Sequence, residues 1–122
     1  MFVLASKHLF WWPVVAMVPS PVAPGTFDRQ EFRVHMEALP EDELKAIDAA
    51  FADYATAKER ADHQHDLLYR VVHDWEDVVS EDKAPVAFDA ATMRGAMQMT
   101  WFRNALYAAY HDALSGGARL GN

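Results

Sequence analysis

Cysteine is absent from the 122 residues, which excludes disulfides and thiolate chemistry and fits a reducing compartment. Glycine is scarce, with five residues, and none of them builds a phosphate loop. Gly116-Gly117 follows the last helical stretch instead of opening one. Ser6, Ser20, Ser80 and Ser115 sit in turn-like contexts, none in a Gly-x-Ser-x-Gly elbow. Basic residues are in deficit, 11 against 18 acidic, for a formal net charge of −7. Residues 41–89 carry fourteen acidic and five basic side chains, so all of the excess negative charge lies there. Phosphate backbones repel such a surface, which argues against general nucleic-acid binding. Long apolar runs are also missing. The apolar stretch at residues 9–18 is broken by Pro13 and two tryptophans and lacks a basic n-region. Neither a signal peptide nor a membrane span is expected, and the cytoplasm is the expected location.

What is present suits one soluble globular domain, with 52% hydrophobic and 24% charged residues. Two extended segments open the chain. Residues 9–18 are rich in aromatic and β-branched side chains, and three prolines and Gly25 in residues 19–25 form a loop. In the second segment, residues 26–38, Phe32, Val34 and Met36 alternate with charged groups, as in a half-buried strand. Helical spacing follows Pro40, with Glu41, Asp42 and Glu43 placed for the positive end of a helix. Leu44, Ile47, Phe51 and Tyr54 form one stripe, and Leu67, Leu68, Val71, Val72 and Trp75 a second. The polar interval 55–65 leaves open whether residues 41–75 form one helix or two. Asp89 is a good N-cap for a helix to about Met97, and Thr100 for a last helix that stops at Ser115-Gly116-Gly117.

The expected fold is therefore α+β, an N-terminal β-hairpin followed by a mainly α-helical bundle of about four helices. Within one domain this gives a hairpin at 1–39, middle helices at 40–75 and a connector at 76–88. A C-terminal helix pair at 89–115 and a tail at 116–122 complete it.

No catalytic set, cofactor site or metal site is expected. His63 and His65 are two apart and point to different faces of a helix; His65, Asp66 and His73 match no zinc spacing. Asp74, Glu76 and Asp77 beside Trp75 read as a solvated acidic turn, since a general acid needs burial and a facing partner. The aromatic and methionine residues offer a binding surface instead. Trp11 and Trp12 face opposite sides if they lie in a strand, so either one packs on the core while the other meets solvent or a partner, or both reach a core through a bulge or second layer. Met93, Met97 and Met99 with Trp101 match the adaptable surfaces that hold apolar segments, although plain core use is the favoured reading of the same residues.

The order of several short motifs adds to this. They are Met-Phe-Val-Leu at residues 1–4, Trp12-Pro13-Val14-Val15 leading to Val18-Pro19, and Glu31-Phe32-Arg33-Val34-His35-Met36 leading to Leu39-Pro40. Leu67-Leu68-x-x-Val71-Val72-x-x-Trp75-x-x-Val78 and Glu81-Asp82-x-x-Pro85-Val86-x-Phe88 follow. Trp101-Phe102-Arg103-Asn104-Ala105-Leu106-x-x-Ala109-Tyr110, Gly116-Gly117-Ala118-Arg119 and Asn122 close the series. Together they resemble the small tail assembly chaperones of long-tailed bacteriophages and related prophages, over nearly the whole chain. Two features depart from that family: Lys83 stands where it often has a turn glycine, and residues 56–66 do not align. The resemblance implies a non-enzymatic protein that coats the helical tape measure protein until tail tube subunits displace it. It further implies self-association, absence from the mature virion and, in many members, a longer product made by frameshifting. The alternative from another class is a structural head–tail connector or tail completion protein, which would stay in the particle.

Overall fold

The computed structural model describes residues 1–116, so the expected tail motif from Gly117 to Asn122 lies outside the described residues. Strands β1 (His8–Pro19) and β2 (Phe27–Ala38) form the expected antiparallel hairpin. Gly25, at φ 78°, turns the loop between them in a conformation that costs a glycine little. Helices α1 (Glu41–Asp53), α2 (Ala57–His63) and α3 (Asp66–Val71) come next. The chain then forms a third strand, β3 (Val72–Glu76), before α4 (Ala90–Ala96) and α5 (Thr100–Leu114). β3 pairs antiparallel with β2, giving a sheet in the order β1-β2-β3 with β1 at one edge.

The expected hairpin-plus-bundle is thus corrected to a three-stranded antiparallel sheet in an α+β chain, with helices both before and after β3. The error came from Val72 and Trp75. Two inward residues three apart read as helical, because a regular strand alternates its faces. Here the register slips where β3 meets His35 and Met36, pairing Val72 with Met36 and Trp75 with Val34. His73 is the extra residue of this bulge, so both Val72 and Trp75 turn inward. The polar interval likewise breaks up the middle region. α2 has its own N-cap, with Thr56 Oγ1 accepting the Glu59 N–H at 3.1 Å, so residues 41–75 hold three helices and a strand.

One core runs between the sheet and the helices. Val14, Ala16, Phe32, Val34 and Met36 face it from the sheet, and Leu68, Val71, Met93, Met97, Phe102 and Leu106 from the helices. α5 packs along β1, where the small Ala105 and Ala109 allow close approach. Phe102 stacks on Phe32 at 5.2 Å between centroids. Tyr110 locks the far end, its hydroxyl donating to Glu37 O at 3.0 Å and accepting from the Leu39 N–H at 3.1 Å. Asp89 caps α4 through a reciprocal pair with Thr92, as expected, whereas α5 starts after Met99 and Thr100 is its first helical residue instead of its cap.

The connector closes on Trp75. Its indole N–H donates to Val86 O at 2.7 Å, and its ring meets Phe88 edge-on at 5.1 Å. Val79 bridges Pro85, and the turn between them places Lys83 at φ 67°. That left-handed geometry is what glycine adopts at least expense, so Lys83 holds it at a cost in backbone strain.

Candidate interaction surface

The pleat sends alternate residues of β1 to the core and to the opposite face. Trp12 packs against the core while Trp11, 40% exposed, lies on the outer face and stacks on His35 at 4.9 Å. Of the two arrangements open from the sequence, this is the divided one. Leu9, Trp11 and Met17 make an exposed apolar row along the edge strand. The adjacent row from β2 is charged, with Arg29 paired to Glu31 at 3.0 Å and Arg33 to Glu76 of β3.

The expected methionine surface divides differently. Met93 and Met97, each 2% exposed, are core residues, while Met99 is 42% exposed and Trp101 half-buried. Met93 lies on the inward face of the short helix α4 and Met97 caps its C-terminus, whereas Met99 is the N-cap of α5 and Trp101 lies in the first turn of that helix. These two line a groove of about 220 Å³ with Val18, Phe32, Val78 and Val79. Trp101 also borders a second groove of about 400 Å³, formed by Val15, Met17, Pro19, Phe27 and Ala108 between β1 and α5. Met17, Phe27, Val79 and Met99 are exposed, so one end of the molecule carries two mainly apolar grooves that share Trp101, the smaller of them also lined by Gln30, Glu31 and Asp77. Sequence reading passed over Met17, Phe27 and Val79. Their signal was weak: apolar residues flanking turns, where polar ones are usual.

The histidines are engaged elsewhere. His63 Nδ1 lies 2.9 Å from Asp66, and its ring stacks on Tyr54. His65 Nδ1 lies 2.7 Å from the Tyr107 hydroxyl, and burial, then Arg103, pushes its pKa down. His73 reaches Glu37 at 2.9 Å. Among the described residues, no group of three or more His, Asp or Glu is placed to hold a metal ion. Asp74, Glu76 and Asp77 are exposed, the last two beside Arg33. A polar cleft near α2 and α4 includes Arg94 and Arg103. Arg94 lies 6.0 Å over the Tyr69 ring, and Arg103 donates to Met97 O at 2.8 Å, so both serve the fold.

Glu37 is the buried charged residue among those described. Arg70 donates to both of its oxygens, at 3.0 and 3.2 Å, and also reaches Glu43 at 3.0 Å. Arg70 is the main cause that holds Glu37 down to about 2; burial opposes it, and His73 and Lys7 assist. The network joins the end of β2 to α1, α3 and the bulge of β3.

A folded-state pKa below the unfolded value of 4.5 means that this stabilisation is full above about 4.5. It falls away as pH drops toward 2. Glu37→Gln is therefore expected to lower the urea midpoint at pH 7 and to narrow its gap from wild type between pH 4.5 and 2. A gap of the same size at both ends of that range would show that ionised Glu37 contributes nothing.

Among the described residues, no helix is long and apolar enough to cross a membrane. No protein-family model matches the chain, and neither the curated proteins nor the solved structures yield a significant match.

Proposed function

We propose that this protein is a tail assembly chaperone that holds apolar helical stripes of a tape measure protein. It keeps that partner soluble in the bacterial cytoplasm until tail tube subunits replace it, and leaves before the virion is complete. The observation that carries this reading is the pair of mainly apolar grooves that share Trp101 on a strongly acidic chain. The motif resemblance set out above points the same way.

The physical logic is simple. A long helix with a free apolar stripe aggregates, and a groove lined by aromatic, aliphatic and methionine side chains can cover that stripe. Exposed acidic residues on α1 and in the connector then keep the complex in solution. Small grooves give modest affinity per subunit. Many copies along one target supply avidity without preventing displacement.

Co-expression with the long helical product of a neighbouring gene tests the reading. The wild-type chain should retain that product in the soluble fraction. Met99→Glu with Val79→Glu should reduce the retained amount about ten-fold or more, since both side chains are exposed and the fold does not depend on them. Failure of the wild type to bind or solubilise the product would overturn the proposal. Detection of the chain in purified particles by mass spectrometry would favour a structural connector instead.

A further inference from the structure

Residues 41–63, which hold α1, α2 and the turn between them, contain no buried side chain. Leu44, Ile47 and Phe51 nonetheless form one stripe of α1 at i, i+3 and i+7, the spacing with which a helix fills an apolar groove. Leu44 and Ile47 rest beside Leu67 of α3 and Tyr107 of α5, and the packing there is loose. A gap of about 180 Å³ lies on the Ile47 and Phe51 side, and one of about 390 Å³ on the Leu44 side. Leu67 and Tyr107 border both, and the larger gap runs on to Tyr110 and Leu114. Open space on two sides of a helix leaves few dispersion contacts to hold it. The ion pair that ties α1 to α3, Arg70 with Glu43 at 3.0 Å, is exposed and so contributes little. Firm anchors stand at the two ends of the segment instead. The buried Leu39 donates its N–H to the Tyr110 hydroxyl at 3.1 Å, and His65 Nδ1 lies 2.7 Å from the Tyr107 hydroxyl.

We infer that residues 41–63 are a flap that leaves α3 and α5 while the rest stays folded, uncovering a docking site for an amphipathic helix. α1 is the resident occupant and shows what fits: apolar side chains at i, i+3 and i+7, laid on Leu67, Tyr107, Tyr110 and Leu114. Opening moves no buried side chain of the flap, because it has none. The conformational freedom that the segment regains offsets the modest apolar area returned to water. Seven acidic against three basic side chains keep the open flap solvated. A visiting helix competes with α1, so its apparent affinity scales with the fraction of open molecules. The site shares no lining residue with the two grooves at Trp101. It therefore goes beyond the chaperone reading and does not depend on which partner supplies the helix.

Hydrogen exchange of the full chain, read by mass spectrometry, tests the flap. Amides of residues 41–63 should exchange about 100-fold or more faster than those of β2, through an opening that low urea barely changes. Fluorescence anisotropy with a labelled synthetic peptide of residues 40–55 tests the site. Glu43→Gln should speed flap exchange and strengthen peptide binding together, each about two- to five-fold, the worth of an exposed ion pair. Leu114→Glu, at an exposed position of the covered surface, should speed flap exchange yet abolish peptide binding, which separates the flap from the site. The same peptide carrying Ile47→Ser and Phe51→Ser should not bind. Protection of residues 41–63 equal to that of β2, no binding of the peptide to the Glu43→Gln chain, or equal binding of the serine-substituted peptide would each overturn the inference.

Discussion

Trp75→Ala is expected to destabilise the fold by about 3–5 kcal/mol, the range for emptying a buried large aromatic site. Three losses coincide there. The indole is 6% exposed, so its removal leaves a cavity against Val34 on the neighbouring strand. Its N–H satisfies Val86 O at 2.7 Å, and that acceptor is left without its donor. Its ring holds Phe88 and Phe102 edge-on, at 5.1 and 6.2 Å, which couples the connector to α5. Against a typical total of about 5–15 kcal/mol, the variant should be close to unfolding at room temperature. Trp75→Phe should recover most of the packing but not the hydrogen bond. Urea unfolding followed by circular dichroism measures both, and an alanine variant within about 1 kcal/mol of wild type would remove Trp75 from the core account.

Phe102→Ala is expected to cost a similar amount, about 3–5 kcal/mol. Phe102 stands where the sheet meets α5, stacked on Phe32 at 5.2 Å with its ring nearly parallel, and edge-on to Trp75. Losing it loosens the helix that walls both apolar grooves, so the surface around Trp101 should lose its shape with the stability. Phe102 and Trp75 touch, so their effects should not add. A double-mutant cycle should show a coupling of about 0.5–1.5 kcal/mol. Simple additivity would mean that the connector and α5 are held independently.

The hairpin was readable from the chain because β1 and β2 obey local rules. Phe32, Val34 and Met36 alternate with charged residues, and the proline-rich loop permits nothing but a turn. Asp89 and the start of α1 after Pro40 were readable for the same reason, since a cap is a matter of a few neighbouring residues. β3 was not. Val72 and Trp75 carry a helical interval, and only the bulge beside His35 and Met36, thirty-odd positions away in the chain, turns both inward.

The candidate surface was half legible. Trp11 and Trp12 had to face opposite ways once they lay in a strand, and they do. Met93, Met97, Met99 and Trp101 looked alike in sequence, yet two are core and two reach the surface. Helical spacing alone does not say which side of α4 meets the sheet.

The sequence by itself determined the solution character of the chain: no thiol chemistry, an acidic middle, a β-hairpin start and aromatic anchors at Trp75 and Phe88. These follow from composition and from interactions within a few residues. The tertiary structure decided that β3 joins the sheet, that Glu37 is buried under Arg70, and that Met17 and Phe27 line one groove and Val79 and Met99 another, with Trp101 in both. Each of these depends on residues far apart in the chain being brought together by burial, whose strength follows the area removed from water and carries no sequence spacing of its own.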